Sequence, residues 1–414
     1  MKMFSKALSP ILFFTIPCLS WAVSGTLSGE YGDLSITGNT TLNGEAWTTG
    51  LVTVNGEGTM TGSAENGDAF FTKDVYKSGT GEISEKVLQV NANYDFNAPF
   101  YVIGMAPDGG NLWFAINVAN GKTVKFSNFY FDSAYVKGRQ GLQFISDKTK
   151  DYSKFAHVYL GVDSDDVLNS TGKHEHWLRY VNIHATSGYN YGDVHFQYGS
   201  HFTLEAENVS FRYIRVRQSY SGGTYRGGRT SSDVKDYSSG SLFMNGYSVK
   251  ISEIQWNPSS AGKDHNSVNP TDFLIDFGEN NKAQYCYINK ITEHGKVNAT
   301  NWQNNWNLDR LFITNMGVND MIVLGSDPFN SKVGDGDVQV SLLNVLSRIL
   351  DINGDFVNSN EEYLESLIVQ LTDADTNDAS LVGKWAIMII PEPAEYAAMF
   401  GALALAFAIY RRKK

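Results

Sequence analysis

The chain has 414 residues, enough for one large domain or two ordinary ones. Its 33 basic and 44 acidic residues give a net charge of −11. The two ends hold six of the basic residues and two of the acidic ones, so the body alone carries about −15. That balance excludes nucleic acid and anionic lipid as natural partners of the body, and is compatible with cations or neutral sugars.

Cysteine is nearly absent, with Cys18 near the start and Cys286 in the body. No intramolecular disulfide forms once the first segment is removed, so the core alone must hold the fold. Cys286 lies in the largely apolar run Tyr285–Ile288 and reads as a buried filler.

Residues 1–22 have the three parts of an export signal. Lys2 and Lys6 make a positive start, Ile11–Leu19 is apolar, and Ser20-Trp21-Ala22 sets small residues before a cut between Ala22 and Val23.

From Val23 to Ile390 the pattern is short alternating runs broken by Gly, Asn, Asp and Ser. DLSITGNTTLNG (33–44) and LVTVNGEGTMTG (51–62) share this period-two rhythm. Further on, an alternating strand meets an Asn and a second strand follows at once. The Asn residues are Asn128, Asn182, Asn208, Asn289, Asn315 and Asn344, and Glu253 fills the same slot in Val249–Trp256. Asn tolerates the left-handed conformation that a tight bend between strands requires. The pattern predicts an all-β body, a right-handed parallel β-helix, with a β-sandwich as the alternative. Intervals between the bends run from the mid-twenties upward, so the longer ones require looped-out insertions. The region 65–120 is less regular. Ser219–Ser239 reads as an exposed loop in which Arg226 and Arg229 could meet sugar.

Four constellations could carry chemistry. Asp163, Asp165 and Asp166 form a small acidic group read as a solvated loop. His174 and His176 flank Glu175 on an alternating run and could share a face, but no third metal ligand is identifiable. Arg215 and Arg217 share a strand face in FRYIRVRQ, with Arg212 nearby. β-Helical polysaccharide lyases use basic residues, and pectin hydrolases of that fold use paired carboxylates. Asp351, Asn353, Asp355, Ser359 and Glu362 stand at positions 1, 3, 5, 9 and 12 of a loop, before an apolar-patterned helix predicted over Tyr363–Leu371. That spacing resembles the calcium loops of EF-hands and dockerins, but Phe356 replaces the glycine of position 6, and Asp373, Asp375 and Asn377 only hint at a second loop. Calcium is therefore the one cofactor considered. No G-x-S-x-G, H-E-x-x-H or phosphate-binding glycine loop occurs, and no catalytic residue is assigned.

The far end reads IPEPAEYAAMFGALALAFAIYRRKK. Pro391-Glu392-Pro393 cannot lie inside a helix. Tyr396–Tyr410 is uncharged and as a helix would be about 22 Å long at roughly 1.5 Å per residue. Arg411, Arg412, Lys413 and Lys414 follow as a cytoplasmic basic anchor. This segment, 391–414, resembles the PEP-CTERM sorting signal, whose three parts stand here in order. The resemblance covers only these two dozen residues. It implies recognition by an exosortase, a membrane-embedded cysteine-type transpeptidase, and delivery to the envelope or extracellular matrix of a Gram-negative bacterium. The expectation is an exported protein anchored in the lipid bilayer by its C-terminal helix. The body is expected to be a non-catalytic structural or adhesive β-helix touching extracellular polysaccharide. The alternative is a secreted lyase or glycoside hydrolase. Acidic or basic side chains from three successive rungs converging on one face would favour the enzyme. A smooth Asn/Thr/Ser face would favour the structural body.

Overall fold

Alternation of apolar and polar residues at period two becomes, in three dimensions, strands with one face turned to a common core. The computed structural model describes residues 21–73, 86–103, 112–132, 140–149, 151–162, 174–217, 240–257, 272–279, 282–293, 310–333, 339–352, 355–356 and 360–389. The described residues are all-β in class, and nearly every strand belongs to one continuous sheet. Two of its ladders run in parallel register. One takes in Val52–Val54, Lys86–Val90, Leu112–Val118, Gln140–Ile145, His174–Arg179, Asp193–Gln197, Ser210–Arg217 and Val249–Asn257. The other takes in Tyr94–Ile103, Thr123–Asp132, Ala156–Val162, Val181–Ala185, Ser200–Leu204, Gly240–Phe243, Asp272–Asp276, Arg310–Thr314 and Leu350–Ile352. Within these ladders most strands bond not to their neighbour in sequence but to the strand two places on, whereas the first strand, Trp21–Tyr31, bonds to the next, Leu34–Thr48.

Strict register stacks like on like inside. Val124, Val158, Ile183, Phe202, Leu242, Ile275, Ile313 and Ile352 lie opposite one another in turn, all buried. At a strand spacing of about 4.8 Å this apolar column runs roughly 34 Å. In the other ladder Leu88, Ile116, Phe144, Leu178, Phe196, Val216 and Trp256 form its counterpart. Cys286 is fully buried opposite Val249, and burial pushes its thiol pKa well up, as expected of a filler. Leu178 faces Phe196 and Phe196 faces Val216, so paired positions lie only 18 and 20 residues apart there, shorter than the predicted mid-twenties.

Corners appear as slips of phase. Inward residues step by three, not two, from Phe211 to Ile214, from Ile251 to Ile254 and from Ile288 to Ile291, and these pairs stack on one another. Glu253 and Asn289 sit in that slip, as their sequence slot predicted. Asn208 and Asn315 adopt the left-handed conformation at φ 62° and 55°. Asn128 marks a similar slip between Phe126 and Phe129, within one continuous strand.

Two predicted bends are corrected. Asn182 lies within the strand Val181–Ala185, and the left-handed residue is Tyr180 at φ 56°. Its ring stacks on Tyr198, itself at φ 56° one circuit later, with centroids 5.0 Å apart. Asn344 lies in helix α1, Leu342–Ile349, because the Ser341 side chain accepts the Asn344 N–H and caps a run whose Leu342, Val345, Leu346 and Ile349 share a buried face. The helix predicted over Tyr363–Leu371 is α2, Glu361–Leu367, capped by Asn360, and the chain turns into a strand at Ile368–Gln370. That strand pairs antiparallel with Trp385–Met388, which pairs antiparallel with Met321–Leu324.

Candidate functional site

With residues 176, 178, 194, 196, 214 and 216 turned inward, alternation sends 175, 177, 193, 195, 213 and 215 to the outer side of the same ladder. Register then aligns them in two columns. Gly141, Glu175, Asp193, Tyr213 and Glu253 form one; Gln143, Trp177, His195, Arg215 and Gln255 form the other.

The side chains of three successive strands of this ladder meet there. Arg215 lies between two carboxylates, its Nη2 3.4 Å from Asp193 Oδ2 and its Nη1 3.9 Å from Glu175 Oε1. Arg212 donates from Nε to Asp193 Oδ1 at 2.7 Å. That hydrogen bond raises the Arg212 pKa further above its ordinary value. Trp177 Nε1 donates to Glu175 Oε2 at 3.2 Å, and His195 Nε2 lies 3.5 Å from the same oxygen. The Trp177 and His195 rings stack at 4.2 Å. Tyr213 has the guanidinium carbons of Arg212 and Arg215 at 5.5 and 5.4 Å from its ring centre. Arg179 Nε donates to Gln197 Oε1 at 2.9 Å. On the next circuit Glu253 accepts from Gln255 and Thr292 and lies 3.9 Å from Lys290 Nζ.

Although these groups face outward, the acids are buried, Glu175 at 4% and Asp193 at 3% exposure, whereas the Arg212 side chain is 40% exposed and Arg215 18%. Chemically the arrangement supplies preorganised guanidinium groups, an aromatic ring and, beneath them, two carboxylates one circuit apart with an imidazole against one of them.

Of the residues singled out in sequence, Arg212 and Arg215 belong to this site, and Arg217 ends the same strand opposite Asn257. His176 is not on the surface. It points inward between Phe144 and Tyr191, while the intervening Glu175 joins the site. His174 starts the same strand. Asp351 is buried on the strand stacked over Arg310–Thr314, Asp355 pairs with Ile352 across an antiparallel turn, and Glu362 lies in the first turn of α2. Asn353 and Ser359 lie outside the described residues, as do Asp163, Asp165, Asp166, Arg226, Arg229 and the tail 391–414. Among the described residues no group of three His, Cys, Asp or Glu side chains could hold a metal ion, and no helix is long and apolar enough to cross a membrane. Ala22 and Val23 lie in the first strand, Trp21–Tyr31, opposite Ser35 and Ile36.

The other ladder carries a second polar array. His184 Nδ1 lies 2.6 Å from Glu205 Oε1, and His184 Nε2 lies 3.0 Å from His157 Nδ1. Since the carboxylate must accept, His184 donates from Nδ1 and accepts at Nε2, which makes His157 Nδ1 a donor. Tyr159 stacks on His184 at 4.0 Å, with Lys125 Nζ 5.5 Å from the Tyr159 ring. Neither array was legible as such. Glu175, Asp193, His195 and Trp177 meet only through register, and His157, His184 and Glu205 stand 27 and 21 residues apart. No protein-family model, curated protein or solved structure matches the chain.

Proposed function

We propose that this chain is an exported surface protein, delivered by the signal 1–22 and held through the sorting tail 391–414, an exosortase substrate. Its body is a right-handed parallel β-helix that binds extracellular polysaccharide. The β-helix reading is supported by parallel pairing of successive strands of the two long ladders, most of them with the strand two places on. The delivery reading rests on the order of Pro391-Glu392-Pro393, the apolar run and Arg411–Lys414.

The binding reading is carried by one observation, the Arg215 guanidinium bridging Glu175 and Asp193 on the outer face. Burial of both acids beneath the arginines favours a holding role over catalysis, since the carboxylates are engaged in ion pairs. A second reading, a lyase or glycoside hydrolase, draws on the same convergence of three circuits, with His195 against Glu175. A structural body is supported by the Ser35–Asn55–Asn91 hydroxyl and amide chain along the first strands.

Expression with and without an exosortase, followed by mass analysis of the C-terminus, tests delivery. The tail beyond Pro393 is lost only where the enzyme is present, and equal persistence in both hosts refutes the reading. Incubating the processed protein with a panel of polysaccharides tests the body. Retention without shortening of the polymer is expected. Cleavage abolished by Glu175→Gln would establish the second reading instead.

A further inference from the structure

The net charge of −11 points the whole chain toward cations or neutral sugars, but the site reverses that locally. Its acids lie at the bottom and its cations at the opening. Glu175 and Asp193 are balanced by Arg212 and Arg215, Glu253 opposite Tyr213 is balanced by Lys290, and Arg179 adds a cation whose hydrogen-bond partner, Gln197, is neutral. Arg212 is the more open of the two paired arginines. Only its Nε is engaged, by Asp193, so among the described residues its two terminal amino groups make no hydrogen bond. The Asp193 contact fixes the plane of that guanidinium, and Tyr213 lies against it, so the free edge is presented as a rigid two-donor fork. Such a fork matches a planar or tetrahedral oxyanion in charge and geometry and gains less from a neutral hydroxyl, which accepts one hydrogen bond without the opposite charge.

We propose that this face selects an anionic saccharide, its uronate carboxylate or sulfate ester accepting from the Arg212 Nη1 and Nη2 groups while the sugar ring lies over Tyr213. The inference rests on the polysaccharide-binding reading above and adds the charge of the ligand. Here Glu175 and Asp193 are positioning residues that never touch the ligand.

The test is binding of the processed protein to immobilised neutral dextran, dextran sulfate and a polyuronate of similar length, across a salt series. The expected result is at least tenfold tighter binding to one or both anionic polymers, weakened by salt. The two anionic arms separate sulfate from carboxylate. Arg212→Gln should lose about tenfold in affinity, with Arg212→Lys recovering part of it, because a single ammonium keeps the charge but not the fork. Unfolding midpoints should be compared for every variant. Equal binding to dextran, or full binding by a folded Arg212→Gln protein, overturns the proposal while leaving the broader reading intact. Failure to bind any of the three polymers overturns both.

Discussion

Truncating Arg215 to alanine leaves Glu175 and Asp193 buried without the guanidinium that lies between them, although Arg212 still bonds one oxygen of Asp193. Removing one partner of a buried pair typically costs roughly 3–5 kcal/mol, and partial exposure of Arg215 puts the expected loss at about 3 kcal/mol. Urea unfolding of Arg215→Ala against the parent measures it, and a loss under about 1 kcal/mol would show that the acids are neutralised by other means. The histidine array makes a second prediction at this scale. Burial holds both rings below the ordinary imidazole pKa of 6.5; His184 adds to the effect at His157, while the Glu205 hydrogen bond and charge oppose it at His184. Lys125, beyond the Tyr159 ring, is the other charge facing the array. The unfolded chain takes up protons near pH 6.5 and the folded chain only below that, so the folded state is progressively disfavoured on acidification. The melting temperature should be flat above about pH 7 and fall below about pH 6.5. His157→Asn should flatten that slope.

At the scale of the element, stability lies in columns rather than in single strands. Ile313 is fully buried between Ile275 and Ile352, on circuits before and after its own. Replacing it with alanine opens a cavity that neither neighbour can fill without losing register, at an expected cost of roughly 2–5 kcal/mol, against about 1 kcal/mol for Ile313→Val. Equilibrium unfolding of both variants checks the ratio. The corners obey a different rule. Asn208 and Asn315 were readable because Asn accepts positive φ cheaply. Tyr180 and Tyr198 were not, because no local preference puts tyrosine there. Their mutual stacking, and the contact of Phe155 with Tyr180, help offset the backbone cost, and both contacts come from other circuits. Asn344 failed as a corner for the converse reason. Its flanking residues fit period two and the helical period alike, and the Ser341 cap decided between them.

For the whole molecule, the parallel strand Met321–Leu324 is covered by antiparallel pairing, with Trp385–Met388 bonded to it on one side and to Ile368–Gln370 on the other. A stacked parallel sheet otherwise ends in an open row of donors and acceptors. Removing residues 360–389 should therefore expose Met321–Leu324 and increase self-association relative to the parent, as read by light scattering. A monodisperse truncated chain would show that the edge is protected elsewhere. Sequence alone determined the all-β class, the buried role of Cys286 and several of the corners, because these follow from properties of neighbouring residues: alternation, turn preference and local apolarity. It also supplied the reading of both ends. Only the tertiary structure decided which circuits are adjacent, and with that it made Glu175 a member of the site and His176 a core residue, though one position separates them. The reason is geometric. Register in a stacked sheet is set by matching whole columns of inward side chains across gaps that run here from 15 residues, Leu27 to Leu42, to 40, Val216 to Trp256, and no local signal in the intervening chain encodes that match.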